Sequence, residues 1–453
     1  MRMKEIEKIL NPKSIAVVGA SDNPDKWGYG IMERITSDGF AGPVYPVNAR
    51  SREVFGLDAF SSLEDIPGEV DMVNISIPGK FVAEVVKQAV DRGVKSVVIN
   101  TNGYREVGRG DLETELLEII KDSDTRIIGP NVQGIMNVQN KLSLNLGTKL
   151  FDQGPVGIIA QSGSVSAYIG EKMGDDGIGI STMFNLGNQI DLCESDFIEY
   201  LAGDEQTKVI AIYLEGPKDK DLFKETLIRN ALKKPIVMFK PGSTEQGTEA
   251  AASHTGSIAG NDRIFSAACQ QYGVLRCDDL LGYVDSIKAF ALCPLPEGNR
   301  TVVMSTSGGV GSIVIDEVYK NGLEMARLPT AARQEIETLT GVKVPENGLL
   351  DLAIDTGIWQ KVIETLCKNY SGCFDSILIV VADGVNNVEA MAGYAKNRTS
   401  KPILAVYMSY GDQYRENAIS CLKHEGIAYY GSPERAVRSL KNLLWYRDKQ
   451  VNT

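Results

Sequence analysis

Apolar and polar positions alternate along this chain on two different periods. Short β-branched runs end in glycine, serine, asparagine or proline: "SIAVVGAS", "GPVYPVN", "VDMVNISIP", "KSVVINTNG" and "RIIGPN". Longer stretches of helical period separate them, such as "KFVAEVVKQAVDRG" and "GDLETELLEIIKD". Strand-sized runs alternating with helix-sized ones predict βαβ units and a parallel, doubly wound sheet. The rhythm restarts twice. "GPVGIIAQSG", "GIGISTMFNLG", "TKVIAIYLEG" and "KPIVMFKPG" read as strands of a second unit. After the Pro/Gly stretch "ALCPLPEGNR", "RTVVMSTSGGVG", "FDSILIVVADG" and "KPILAVYMSYG" lead to a last helix, "PERAVRSLKNLLWYRDKQ". The pattern therefore predicts an α/β protein of three consecutive doubly wound domains, 1–145, 146–297 and 298–453.

The length agrees, since 453 residues suggest about three domains. A net charge of −12 with no basic tract argues against a nucleic-acid partner. No apolar run approaches the roughly 20 residues that span a bilayer, so no membrane segment is expected. The start, "MRMKEIEKILNPKSIAVVGAS", does not read as a signal peptide. Seven cysteines without a CxxC pair read as reduced thiols in a cytoplasmic protein. Two histidines and no cysteine pair argue against a zinc site, and no metal ligand is assigned.

In doubly wound sheets, ligands bind outside the carboxyl ends of the strands. Four stretches there carry possible chemistry. In "VVGASDNPDKWGYG", Gly19 permits a tight turn, and Ser21 offers a hydroxyl and an N–H to a phosphate at a helix start. The second strand ends in "PVNAR", with Asn48 and Arg50 and no acid for a ribose. An anionic nucleotide-like cofactor fits this better than NAD; a plain βα turn fits equally. "AQSGSVSAYIGEKM" places Ser162, Gly163 and Ser164 at a strand-to-helix junction. They read as a phosphate cradle, or else as a serine N-cap. Glu215 directly follows the apolar strand of "VIAIYLEGPKD". There it can orient an imidazole, or simply be a loop acid. The fourth stretch is "AAASHTGSIAGND", where small residues and glycines surround His254. A lone histidine is usually a satisfied core or surface residue, but these neighbours permit a loop that moves and let large ligands approach, and neutral imidazole is a competent nucleophile, with general base as the alternative role. His424, in "CLKHEGIAYYG", reads as a surface residue late in a polar helix.

Taken together, these stretches resemble the α subunit of the NDP-forming acyl-CoA synthetases, the superfamily that includes succinyl-CoA synthetase. They are most like its ADP-forming acetyl-CoA group. "SHTGSIAGND" resembles the family's active-site loop and "IAQSGSVSA" its phosphate loop, with Ala160 where serine is usual. "LGNQIDLCESDFIEYL" and "IYLEG" are similarly close. "VVGASDNPDKWGYGI", "PVNAR", "INTNGYREVG" and "IGPNVQGI" resemble the CoA-binding domain, with Ala49 in place of a common proline and Val132 in place of cysteine. "VPENGLLDLAID" lacks the proline expected after Asn347.

The resemblance implies a Rossmann-like CoA-binding domain followed by two flavodoxin-like, succinyl-CoA synthetase-like domains. It implies an acid–thiol ligase that interconverts acyl-CoA, ADP and phosphate with a small carboxylic acid, CoA and ATP. His254 would carry the phosphoryl group, Glu215 would steady it, and Ser162, Gly163 and Ser164 would hold phosphate. Gly19, Ala20, Ser21, Asn48, Arg50, Thr101, Asn102 and Gly103 would line the CoA site. No ATP-grasp pattern is present, so Mg-ADP/ATP is expected mainly on a separate ATP-grasp β subunit, in an assembly such as α2β2. The rival expectations are a non-catalytic CoA or acyl-CoA binder that keeps the fold, and a succinate-specific ligase subunit.

Overall fold

Strands buried on both faces must be apolar throughout, and the runs named above become such strands. A computed structural model describes residues 2–247, 249, 261–352, 356–382, 389–408 and 412–452, without the side chains of 2–5, 356 and 412–414. In the first sheet these strands are β1 (Ile15–Val18), β2 (Val44–Val47), β5 (Met72–Ile75), β6 (Ser96–Ile99) and β7 (Arg126–Ile128). A small antiparallel hairpin, β3 (Glu53–Val54) and β4 (Leu57–Asp58), lies between β2 and β5 in the chain. The sheet order is β2-β1-β5-β6-β7 and all its pairings are parallel. The order reverses between β1 and β5. Val18 stands level with Val47 and Ile75, and Ile75 with Ile99. The carboxyl ends of four strands therefore finish together at the switch point, the place where doubly wound sheets form a ligand crevice.

The second sheet has the order β14-β13-β12-β10-β11-β8-β9. Its strands are β8 (Gly134–Asn137), β9 (Leu142–Asn145), β10 (Gln153–Ala160), β11 (Ile180–Asn185), β12 (Val209–Tyr213), β13 (Ile236–Phe239) and β14 (Leu275–Cys277). β10 to β14 are parallel, whereas β8 pairs antiparallel with both β9 and β11. The β8–β9 hairpin, which precedes residue 146, thus completes the second sheet. Gly134 is essential to it: at φ +132° a Cβ would lie 1.6 Å from the Leu144 carbonyl oxygen. The helices are stopped and started by local chemistry. Asp219 accepts the N–H groups of Asp221 and Leu222 and so caps the helix Lys220–Asn230.

The chain forms two compact units, Met1–Asp278 and Asp279–Thr453. The first holds both sheets above. The second holds a third parallel sheet, β15 (Arg300–Ser305), β16 (Glu324–Met325), β17 (Leu349–Asp351), β18 (Ser376–Val381), β19 (Ile403–Tyr407) and β20 (Ala428–Tyr430). Its path runs β16-β15-β18-β19-β20, and β17 also pairs with β15. Within this unit the helix Leu280–Leu292 is tied to the last helix, Pro433–Val451, by a two-pronged Arg435–Asp285 pair at 2.7 and 2.8 Å. Asp285 is only 1% exposed, so this pair is a structural join. His424 ends the helix Asp412–His424 with its side chain 86% exposed. Among the described residues no helix is long and apolar enough to cross a membrane.

Candidate active site

At the crevice of the first sheet the chain turns on backbone that only glycine tolerates. Gly19 has φ +92°, and a Cβ there would lie 2.4 Å from the Ser76 carbonyl oxygen. Gly28, near the start of the helix Trp27–Ser37, presses on the same turn: its Cβ would lie 1.9 Å from the Gly19 oxygen. Asn48 then ties two loops together. Its Nδ2 donates to the Ala20 oxygen at 2.7 Å, and its Oδ1 accepts the N–H groups of Arg50 and Ser51 at 2.8 and 3.1 Å. The Ser21 hydroxyl accepts the Asn23 N–H at 3.1 Å. On the other side, Thr101 Oγ1 donates to the Ile77 oxygen at 2.7 Å. Gly103, at φ +98°, donates its N–H to Glu106 Oε1 at 2.6 Å. Arg50 and Asn102 are exposed at the rim. All eight residues expected for a cofactor thus sit at the carboxyl ends of β1, β2 and β6.

A second set of residues meets at the carboxyl ends of β10 and β12. Ser162 holds the N-cap position of the helix Gly163–Asp175, with φ −92° and ψ 128°, yet its side chain makes no capping bond. Its hydroxyl instead lies 3.2 Å from that of Ser164. A helix start with unspent N–H groups and two neighbouring hydroxyls is an anion cradle. Gly163 is fitted against Gln133: a Cβ would lie 2.4 Å from its Cγ. Gln161 binds the two strand ends together. Its N–H donates to the Tyr213 oxygen and its Oε1 accepts the Glu215 N–H, each at 3.0 Å. Glu215 is 5% exposed. It therefore stands beside the cradle, one hydrogen bond from Gln161.

Asn185, 1% exposed, completes the floor. Its Nδ2 donates to the Ala160 and Gln161 oxygens at 3.0 and 3.1 Å, and its Oδ1 accepts the Gln133 N–H at 2.5 Å. Gln133, Gln161 and Asn185 were not singled out from the sequence. Only Gln161 had a local signal, a polar residue inside the quoted turn. Nearby, burial pushes the Glu194 carboxyl up to about 7, although it accepts the Lys218 N–H at 3.2 Å. Burial, and after it the Glu215 charge, pushes Tyr213 up to about 12.

His254 lies outside the described residues. The ends of its segment are described. Lys240 follows β13, whose Phe239 stands level with Tyr213 of β12, two residues from Glu215. On the far side, Asn261 caps the helix Asp262–Tyr272 by accepting two N–H groups. Lys240, 4% exposed, faces Asp262 at 3.8 Å, and Arg276 holds the same carboxylate at 2.6 Å. The two ends are thereby pinned to each other. Between the helices Lys220–Asn230 and Asp262–Tyr272 lies a cavity of about 510 Å³ with Gly216 and Pro217 in its wall.

Comparison with known proteins gives this arrangement a family. Residues 13–137 match the family described as a CoA binding domain, and residues 153–290 the family described as a succinyl-CoA ligase like flavodoxin domain. The α subunit of acetate–CoA ligase [ADP-forming] II of Pyrococcus furiosus is 36% identical over 439 residues, 95% of each chain. The α subunit of form I from the same organism is 32% identical over 97% of each chain. The chain belongs to the α-subunit family of the ADP-forming acetate–CoA ligases. A solved structure of this ligase type, the Ca. Korarchaeum cryptofilum dinucleotide forming acetyl-coenzyme A synthetase 1 in complex with phosphate and ADP, superposes with a TM-score of 0.91. It is 32% identical and covers 98% of this chain and 97% of that one. The α-subunit ligase frame agrees with the expected α/β architecture, a CoA-binding domain followed by a flavodoxin-like one. It also agrees with the expected acid–thiol ligase class.

Proposed function

We propose that this chain is the α subunit of an ADP-forming acid–CoA ligase working through an acyl phosphate and a phosphohistidine at His254. The observation that carries the reading is the meeting of cradle and carboxylate: Ser162–Ser164 and Glu215 are joined through Gln161 at two adjacent strand ends. The strand from which the His254 segment leaves is next in the sheet.

The steps follow from that placement. CoA binds at the crevice of the first sheet, lined by Gly19, Ala20, Ser21, Asn48, Arg50, Thr101, Asn102 and Gly103. A phosphate oxygen held at the cradle attacks the thioester carbonyl of acyl-CoA. The carbon–sulfur bond breaks, and CoA leaves as the thiol after taking a proton. The imidazole of His254 then attacks phosphorus, the acyl–oxygen–phosphorus bond breaks at phosphorus, and the carboxylate leaves. Glu215 accepts the N–H of the ring nitrogen that is not phosphorylated, which keeps the other a nucleophile. The cradle's N–H groups and hydroxyls stabilise the charge on the transferring phosphoryl group. ADP finally takes the phosphoryl group and becomes ATP.

ADP and its Mg²⁺ are assigned to a separate ATP-grasp β subunit in an α2β2 assembly. In support, the Pyrococcus furiosus relatives are themselves named as α subunits. Seven free cysteines support a reducing, cytoplasmic setting. By sequence the domains divide near 145 and 297, with the β8–β9 hairpin lent by the first segment to the second sheet. The test is labelling. The complete enzyme with γ-labelled Mg-ATP is expected to gain one acid-labile, base-stable phosphate, and His254→Ala none. The chain alone is expected to take phosphate from acetyl phosphate but not from ATP. Full labelling of His254→Ala, with turnover intact, overturns the reading.

A further inference from the structure

The Thr101–Gly103 loop of the first sheet does not hold its shape alone. Glu106 Oε1 accepts the N–H groups of Gly103 and Tyr104 at 2.6 and 3.1 Å. The other oxygen of that carboxylate accepts from Asn188 Nδ2 at 2.6 Å. Asn188 lies in the second sheet's turn after β11. The same Nδ2 also donates to Glu113 Oε1 at 2.8 Å, and Glu113 is 4% exposed and paired with Arg105. Asn188 Oδ1 accepts from Asn131 Nδ2 at 3.3 Å. Asn131 in turn donates its N–H to the Thr101 oxygen at 2.9 Å. Both hydrogens of the Asn188 amide, and its oxygen, are thus committed to the 101–113 segment or to the residue that holds Thr101.

The backbone beneath is equally fixed. Asn188 donates its N–H to the Pro130 oxygen at 2.9 Å. Gly187, at φ +54°, approaches so closely that a Cβ would lie 2.2 Å from that same oxygen. Three residues earlier, Asn185 reaches the Ala160 and Gln161 oxygens under the cradle. The short stretch 185–188 therefore holds the strand end that leads into the phosphate cradle at one end and the CoA loop at the other. The electrostatics agree. Burial pushes the Glu106 carboxyl up, yet the Asn188 amide and the N–H groups of Tyr104 and Gly103 hold it below the usual range.

We propose that Asn188 is a positioning residue that sets the Thr101–Gly103 loop in register with the Ser162–Ser164 cradle, so that it governs CoA affinity without touching CoA. The inference rests on the assignment of CoA to the first sheet. The substitution N188D would place a third carboxylate against Glu106 and Glu113 and remove both donated bonds. Adding Glu106→Gln would restore one of them in the opposite sense: the new amide nitrogen would donate to the introduced carboxylate, while the amide oxygen would still accept the Gly103 N–H.

The test measures CoA binding by calorimetry on the full chain, and CoA KM with phosphohistidine formation in the α/β complex. Loss of a hydrogen bond to a charged group corresponds to about a tenfold change. Asn188→Ala, which loses both donated bonds, is expected to raise the CoA Kd and KM at least about tenfold, and N188D, which adds charge repulsion, by about a further tenfold. N188D with Glu106→Gln is expected to recover about tenfold of that loss. These changes should fall on CoA rather than on the rate of phosphohistidine formation from Mg-ATP. Melting curves identify a variant that fails to fold, and recovery in the double variant then carries the decision. Wild-type binding of CoA with unaltered Kd in both single variants overturns the inference alone, as does N188D whose loss the Glu106 change leaves in place. Failure of the wild type to bind CoA overturns the assignment of the site and this inference with it.

Discussion

The two candidate ligand ends of the N-terminal unit are built on opposite plans. At the first sheet the polar groups are spent on one another. Asn48 uses both ends of its amide on backbone, Ser21 accepts an Asn23 N–H, and Gly103 gives its N–H to Glu106. What this end offers a ligand is shape, a crevice whose loops are held before anything binds. At the second sheet the polar groups are held back. Ser162 stands where a cap belongs and does not cap, and its hydroxyl faces that of Ser164. The support comes from underneath, from Asn185 and Gln161. Retention of a large cofactor calls for preformed walls, whereas an anion whose charge shifts during reaction calls for donors with no other engagement.

The contrast can be broken most sharply at Gly163. Valine there collides with Gln133 Cγ and closes the cradle. Phosphohistidine formation is expected to fall by at least about 10²-fold, while CoA binding to the chain stays within error; equal loss of both would mean the two ends are one site. The mirror experiment is Gly19→Ala. At φ +92° and 2.4 Å from the Ser76 oxygen, this substitution costs on the order of 1–3 kcal/mol in strain. Calorimetry should show CoA affinity down by about tenfold with labelling from acetyl phosphate retained. A smaller effect is expected at the rim. Arg50→Ala should weaken CoA more than dephospho-CoA, because an exposed cation at this crevice suits a terminal phosphate; equal losses would place Arg50 elsewhere.

The smallest effect is on stability. Glu194, raised by burial from 4.5 to about 7, binds a proton in the folded chain that the unfolded chain releases between those values. Its favourable contribution is full below pH 4.5, fades as pH rises through about 7 and is level above. Glu194→Gln should therefore raise Tm at pH 8 by a few degrees and show less gain at pH 5.5. An equal gain at both would remove the proton from the account.

The strands were legible because a parallel strand buried on both faces has no choice but a continuous apolar run, as in "SIAVV" and "IVMF". The β8–β9 hairpin was not. "GIMN" and "LSLN" are short, and β8 finds its inner partner β11 more than 40 residues later. The site divides in the same way. Ser162, Gly163 and Glu215 stand out as turn residues at strand ends. Asn185 and Gln133 do not, since their importance lies in bonds between segments distant in sequence. Asn48 was legible as a residue of the crevice, but its amide proves to be the tie between two loops.

The join of Lys240, Asp262 and Arg276 fixes the two described positions that flank His254 in sequence. His254 is eight residues before Asp262 and fourteen after Lys240, so the shorter arm sets its range. At ~3.5 Å per extended residue that arm spans at most about 28 Å. On the proposed mechanism, any group that exchanges phosphate with His254 must come within that span, plus the length of the histidine side chain, of Asp262. Lengthening the 255–261 arm by a few residues extends that reach, and deleting as many shortens it, with the cradle left as it is. On that mechanism, the distance phosphate can travel is set by a count of residues on one side of a single histidine.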